Sequence, residues 1–161
     1  MGIARRTLSF ATLDDVAVDA EHLLAGGYEP AGNWDLPQVC GHVAEWMRYG
    51  MDGFPRPPVP VRLLMWVARN TMGPKLFRKY LAEGAMPAGK PTMPQTVPAA
   101  GGDAAAAVAK LRETVEKAKA FPGPPVPSPF FGPMTRDEWV RLNCVHAAHH
   151  LSFLVPTNPP G

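Results

Sequence analysis

Apolar residues recur at intervals of three and four in four stretches of the chain, the spacing that places them on one face of an α-helix. The first stretch runs from about Leu13 to Ala25, and the second runs from Leu36 to about Met51. The third runs from about Ala104 to Ala120, and the fourth begins at Arg136 and ends near Leu154. The β-branched alternation that is typical of strands is missing. The pattern therefore predicts an all-α fold with four principal helices.

Capping boxes mark the starts of three of these helices. In a capping box, a residue before the first turn and an acid or amide three residues later satisfy amide donors that the first turn leaves unpaired. The pairs are Thr12 with Asp15, Asp35 with Gln38, and Thr135 with Glu138. These starts fix which residues share the apolar face of each helix.

An insert of about residues 54–102 separates the second and third helices. It opens with an extended linker over residues 54–60, because successive prolines disfavour helix. Apolar and basic residues then alternate from Val61 to Gly84, and Gly73-Pro74 should divide this segment into two short helices. A basic amphipathic segment can lie on a membrane surface. The simpler interpretation is that its apolar face packs on the other helices or on a second subunit.

Length and composition agree with one small domain over residues 1–161. A chain of 161 residues, 46% of them hydrophobic, can bury one core of ordinary size. The net charge of +2 is weak, and no basic cluster with interleaved aromatics is present, which argues against nucleic-acid binding. The longest apolar stretch, Leu63 to Ala68, is too short to cross a bilayer, and residues 1–12 lack the pattern of an export signal. We therefore expect a cytoplasmic protein that is not an integral membrane protein.

Three of the five histidines, His146, His149 and His150, lie in the fourth predicted helix. Residues four apart on a helix share a face, with Cβ atoms about 5–6 Å apart, and this spacing suits two ligands of one transition metal. His146 lies at the centre of the apolar stripe, where an unpaired polar group costs on the order of 1–3 kcal/mol. The alternatives are a metal site or histidines that are hydrogen-bonded within the core.

A third candidate ligand is His42, in the second turn of the second predicted helix. It shares an apolar stripe with Val39 and Trp46, so it also faces the core. Helices packed about 8–10 Å apart can each place an imidazole between them, so His42, His146 and His150 could hold one ion. Three protein ligands leave a coordination position open, as in catalytic metal sites.

The two cysteines are poor candidates for further ligands. Cys40 and Cys144 each precede a proposed histidine ligand by two positions, which turns them about 160° away on their helices. We expect them to be small buried residues or free thiols. Because the chain has no Cys-x-x-Cys pair, a structural zinc knuckle is excluded.

The helix that bears His42 and the closing His146-x-x-His149-His150 resemble the DinB-like superfamily, also called YfiT-like metal-dependent hydrolases. The order of the helices extends the resemblance over most of the chain, and the insert makes it most similar to a branch known mainly as a domain of unknown function. The resemblance implies a four-helix bundle with the basic amphipathic insert between its second and third helices. It also implies that His42, His146 and His150 bind a divalent metal, zinc or nickel, and that His149 does not.

The resemblance implies a class of chemistry as well. Members of the superfamily include transferases that attach low-molecular-weight thiols to electrophiles, thiol-dependent isomerases and proteins described as hydrolases. We therefore expect a metal-dependent thiol S-transferase or hydrolase that acts on a small-molecule substrate and forms a homodimer. Glu45, one turn after His42, and His149 are candidates for relaying a proton or contacting substrate. The alternative is a non-catalytic helical bundle with a structural or vestigial metal site that acts as an interaction module.

Overall fold

The structure of the chain, a computed structural model, describes residues 3–89, 92 and 96–158. Six α-helices and two short strands lie within these residues. The helices are α1 (Leu13–Gly26), α2 (Leu36–Asp52), α3 (Val59–Thr71), α4 (Gly73–Glu83), α5 (Ala104–Ala120) and α6 (Arg136–Leu151). The strands are β1 (Tyr28–Pro30) and β2 (Leu154–Pro156). The predicted predominance of helix is confirmed.

All three predicted capping boxes are present. At the start of α2, the Gln38 amide N–H donates to Asp35 Oδ1 at 2.9 Å, and the Asp35 amide N–H donates to Gln38 Oε1 at 3.2 Å. α5 has a simpler cap, in which the Ala106 amide N–H donates to Asp103 Oδ1 at 3.0 Å. The two helices that carry the candidate ligands therefore begin at the residues that the sequence predicts.

The main hydrophobic core lies among α1, α2, α5 and α6. α2 packs against α5 and α6, and α1 packs against the same two helices. Each helix contributes at least one fully buried large side chain, among them Leu23, Met47, Leu111 and Leu151. Burying such a side chain is worth roughly 1.5–3 kcal/mol relative to leaving it exposed. Apolar packing therefore holds α2 and α6 side by side.

A two-stranded antiparallel sheet, unexpected from the sequence pattern, joins the region after α1 to the region after α6. Tyr28 lies opposite Pro156, and Pro30 lies opposite Leu154. The last helix ends at Leu151 rather than near Leu154, so Phe153 lies outside it. Strands of three residues are too short to show alternation in a sequence. Leu154 is fully buried in the sheet.

The insert forms two helices divided at Gly73, as the sequence predicts. α3 begins at Val59, two residues before the predicted start. Pro58 is the N-cap residue and Pro60 lies in the first turn, where the missing N–H of proline costs nothing. The extended linker after α2 is therefore shorter than the run of prolines suggests.

The two helices of the insert differ in how they pack. α4 packs on α6 and buries Phe77 and Tyr80 against Phe131 and Leu142. α3 buries none of its residues. The sequence prediction that this segment packs on the other helices is confirmed for α4 alone. None of the helices in the described ranges combines the length and apolar character that crossing a membrane requires.

Candidate metal centre

The packing of α2 on α6 brings the three predicted ligands together. His42 lies in the second turn of α2, and His146 and His150 lie one turn apart near the end of α6. The Nε2 atom of His146 is 3.1 Å from Nε2 of His42 and 3.1 Å from Nε2 of His150. One nitrogen from each ring lies within 4.8 Å of the other two. These three side chains could hold a metal ion.

Burial keeps all three imidazoles neutral. His42 is 2% exposed and His146 is 7% exposed, while His150 is half-buried. Burial lowers the pKa of His42 to about 4. It also lowers the pKa of His146 and of His150, and the neighbouring imidazoles lower both further. The neutral imidazole is the form that binds metals, so the three rings are ready to bind at neutral pH.

Hydrogen bonds do not by themselves account for this arrangement. A neutral imidazole carries one N–H donor and one lone pair. His146 Nε2 can therefore donate or accept a single hydrogen bond in the plane of its ring, whereas two ring nitrogens lie 3.1 Å from it. One cation can bind the lone pairs of all three nitrogens, and nitrogens at this separation can both lie about 2.0–2.1 Å from a zinc ion. The donor set fits a divalent metal.

Thr96 orients the His42 ring. His42 Nδ1 lies 3.0 Å from the hydroxyl Oγ1 of Thr96 and 3.3 Å from its carbonyl oxygen. In the tautomer in which Nδ1 donates to Thr96, Nε2 keeps its lone pair directed at the other two histidines. Thr96 lies in the loop before α5, where no periodic pattern in the sequence singles it out.

A cavity of about 230 Å³ opens beside the His150 side of the cluster. Its walls include Asn33, Trp34, His149 and Phe153. The Trp34 indole stacks on the His150 ring, with centroids 5.0 Å apart and planes 6° apart. Helical periodicity does not single out Trp34, although its place directly before the N-cap of α2 is a sequence signal for a residue beside the start of that helix. The cavity is smaller than the roughly 300–1,000 Å³ of common ligand pockets, and of the three candidate ligands His150 lines it.

Comparison with known protein families assigns most of the chain to a family. Residues 2–157 match a family described as a protein of unknown function, DUF1569. The chain belongs to this family. Its description assigns no activity to the members of DUF1569, so membership favours neither a reaction nor a substrate. A search of curated proteins and a search of solved structures each found no match to the chain.

In the structure of this DUF1569 member, the two candidate catalytic residues, His149 and Glu45, differ in their position relative to the cavity. His149 lines the cavity, and its ring packs edge-on against His150 with centroids 4.9 Å apart. His149 Nδ1 lies 3.1 Å from the carbonyl oxygen of Met86, so Nδ1 donates and Nε2 keeps its lone pair. Glu45 is not among the residues that line the cavity. Arg48 donates to both carboxylate oxygens of Glu45, at 2.6 and 3.0 Å, and this pairing lowers the pKa of Glu45.

Both cysteines are buried free thiols, as expected from their positions. Burial raises the pKa of Cys40 to about 12 and the pKa of Cys144 to about 11. Neither belongs to the histidine cluster, which is the only group of three or more potential metal-binding side chains within the described residues.

Proposed function

We propose that the chain is a metal-dependent enzyme of the DinB-like superfamily, in which His42, His146 and His150 hold one divalent ion, zinc or nickel. The observation that carries this proposal is the convergence of three neutral imidazoles from α2 and α6, two of them buried and the third half-buried. Those are the two helices whose sequences resemble the superfamily. We infer accordingly that α1, α2, α5 and α6 form the superfamily's four-helix bundle, within one domain that carries the insert between its second and third helices.

The reaction class that we propose is transfer of a low-molecular-weight thiol to an electrophilic small molecule in the cytoplasm. Hydrolysis is the variant in which water takes the place of the thiol. A divalent ion with three neutral ligands supplies acidity, since it lowers the pKa of a bound water from 15.7 toward about 7 and acts similarly on a thiol. Neutral ligands suit this purpose because they leave the charge of the ion uncompensated.

The residues around the cluster have distinct parts in this proposal. Thr96 fixes the tautomer of His42, and Trp34 holds the His150 ring by stacking. His149 presents Nε2 as an acceptor for the thiol proton, because Nδ1 donates to the Met86 carbonyl. As the sulfur bonds to the electrophilic carbon, the bond from that carbon to its leaving group breaks, and the leaving group departs with the electron pair. Glu45 could relay a proton only after its pair with Arg48 opens.

Metal content tests the ligand assignment. His146→Ala should reduce bound metal from about one ion per chain to background, because two nitrogens bind a divalent ion far more weakly than three. The matched control is His22→Ala, since His22 is an exposed histidine on α1, outside the cluster. Elemental analysis of untagged proteins gives the metal content, and circular dichroism checks that helical content is unchanged. Equal metal content in His146→Ala and the wild type would contradict the assignment.

Thiol transfer tests the catalytic part of the proposal. Metal-loaded protein should consume low-molecular-weight thiols in the presence of a model electrophile, and His149→Gln should lower kcat by about 100-fold, as loss of a general base commonly does, while bound metal is retained. A protein that binds one metal ion but shows no transfer and no hydrolysis, and that loses its helices when the metal is removed, would instead be the non-catalytic bundle with a structural site. Sedimentation of the same samples tests the homodimer that the resemblance implies.

A further inference from the structure

α3 has an apolar face that nothing covers among the residues that the structure describes. Val59, Leu63, Leu64, Trp66 and Val67 are between 44% and 72% exposed. At about 100° per residue these five side chains fall within a sector of about 160°, so they form one continuous face. The principal contact of α3 is with α4, which follows it directly in the chain.

The opposite side of α3 is the side that faces the protein. Met65, Ala68 and Arg69 are half-buried and lie on that side of the helix. The orientation of α3 is therefore defined, and its apolar face is directed outward. A contiguous exposed apolar surface that includes a tryptophan marks an interaction surface in a soluble protein, whereas single exposed apolar residues do not.

The segment that carries this face is strongly basic, and five of its six basic side chains are exposed. Residues 54–84 contain six basic side chains and one acid, a net charge of +5. The other ten basic and thirteen acidic residues of the chain carry a net charge of −3. The basic side chains are Arg56, Arg62, Arg69, Lys75, Arg78 and Lys79, and the one acid, Glu83, lies 3.8 Å from Lys79. The protein thus has a basic segment with an exposed apolar face on an otherwise acidic body.

We propose that the apolar face of α3 docks on an anionic lipid bilayer. Lys and Arg side chains near a membrane are attracted to its negative surface potential. The apolar face of an amphipathic helix then enters the boundary between head groups and acyl chains, a region in which tryptophan is favoured. The acidic remainder of the molecule orients the basic segment toward the bilayer, because an anionic surface repels it.

A second copy of the chain is the less suitable occupant. A twofold interface through α3 would place two segments of charge +5 against each other. Like charges brought together in an interface oppose association. An anionic bilayer, in contrast, can bury the apolar face and attract the positive charge of residues 54–84. This proposal does not depend on the metal centre.

Vesicle cosedimentation of the untagged full-length protein tests the proposal. The partition coefficient should be at least about tenfold higher for vesicles of phosphatidylcholine mixed with phosphatidylglycerol than for phosphatidylcholine alone. Binding should weaken as salt is raised, because salt screens the charges. Equal partition into the two kinds of vesicle, or no binding to either, would overturn the proposal.

Paired variants separate the apolar and the electrostatic contributions. Leu63→Gln with Trp66→Gln should lower partition at least about tenfold, and both side chains are more than 60% exposed, so the fold is retained. The matched control is Leu24→Gln, an exposed leucine on α1 that should bind vesicles as the wild type does.

The double variant Arg62→Gln and Lys75→Gln tests the electrostatic contribution. It should reduce binding to anionic vesicles severalfold. Its control is Lys110→Gln, an exposed lysine on α5 whose loss should have no effect. Undiminished vesicle binding by the double apolar variant would refute the proposal. So would a dimer in sedimentation equilibrium that this variant converts to monomer, since a second copy would then cover α3.

Discussion

The three candidate ligands differ in how the second nitrogen of each ring is held. Thr96 binds Nδ1 of His42, whereas Nδ1 of His146 is buried without a hydrogen-bond partner among the described residues. The His146 ring packs against Trp46, with centroids 5.1 Å apart. Hydrogen bonding therefore orients His42, and packing orients His146. An unpaired buried N–H costs about 1–3 kcal/mol, a cost that metal binding at Nε2 of the same ring would offset.

Thr96→Val should weaken metal binding by about tenfold, the lower end of the range for loss of a partner that orients a ligand. The substitution keeps the volume of the side chain and the backbone carbonyl but removes the hydroxyl 3.0 Å from His42 Nδ1. Competition with a chromophoric chelator measures the affinity. Thr114→Val is the matched control, because Thr114 is also buried but its hydroxyl donates to the Lys110 carbonyl on α5. An equal loss of metal affinity in both variants would show that the effect comes from packing and not from the hydrogen bond to His42.

The sequence was sufficient to predict that His42, His146 and His150 lie close together, because helical spacing determines which side chains share a face. Thr96 and Trp34 could not be assigned in the same way. Each lies outside the α-helices, and its position beside the cluster depends on tertiary contacts with His42 or His150. Loop residues that contact a site can be identified only from the tertiary structure, because no local sequence pattern marks them.

At the scale of elements, Gly50 on α2 packs directly against the Trp139 side chain on α6. A Cβ atom there would overlap the indole of Trp139, which is itself buried. Alanine normally stabilises a helix by about 1 kcal/mol relative to glycine. At Gly50 the overlap should outweigh this stabilisation. We therefore expect Gly50→Ala to lower the free energy of unfolding by about 1–3 kcal/mol, as overpacking does.

The control for this prediction is Gly26→Ala at the end of α1. A Cβ atom at Gly26 would lie 3.5 Å from the nearest other atom, which is ordinary contact. This variant should be neutral or slightly stabilising, and urea unfolding compares the two. A stabilising Gly50→Ala would mean that α2 and α6 lie further apart than the structure shows.

The pairing of α1 with α5 should make stability depend on pH. Arg112 on α5 donates to both carboxylate oxygens of Glu21 on α1 at 2.8 Å, and this pairing holds the pKa of Glu21 below its usual 4.5. A lowered carboxyl pKa gives stabilisation that is complete above about pH 4.5 and is lost as pH falls through the folded-state pKa. Because Glu21 is 44% exposed, solvent screening limits the contribution to about 0.5 kcal/mol.

Glu21→Gln should therefore flatten the decline in unfolding free energy between about pH 5 and about pH 3. The comparison variant is Glu113→Gln, which breaks an ion pair with Lys117 within α5 that is more exposed and should matter less. Chemical denaturation at several pH values gives both slopes. The interpretation fails if Glu21→Gln and the wild type lose stability in parallel.

Helix starts were predictable at this scale because capping boxes are local in sequence. The two strands were not, since each has three residues and is stabilised by pairing with a distant segment. The hydrophobic pattern of α3 likewise does not predict that its apolar face is directed outward. An amphipathic sequence determines that a helix has an apolar face but does not determine what that face meets.

At the scale of the whole molecule, the apolar core and the histidine cluster are separate contributions to stability. The principal apolar cluster draws on α1, α2, α5 and α6, and it contains large side chains such as Leu23, Leu111 and Leu151 that are distinct from the candidate ligands. Apolar burial of this kind does not require a bound ion. The fold should therefore persist without metal, and metal should add stability through linkage.

A divalent ion that binds only the folded state at about 100 times its Kd adds about 2.7 kcal/mol. For a chain of this size each kcal/mol raises Tm by about 2–4 °C, so saturating zinc or nickel should raise Tm by about 5–11 °C. A chelator should reverse the shift and leave the far-ultraviolet circular dichroism at room temperature unchanged. His146→Ala should show no shift, and His22→Ala should show the full one. Loss of helix on chelation would mean that the ion is needed for folding, and an equal shift in both variants would place the binding site elsewhere.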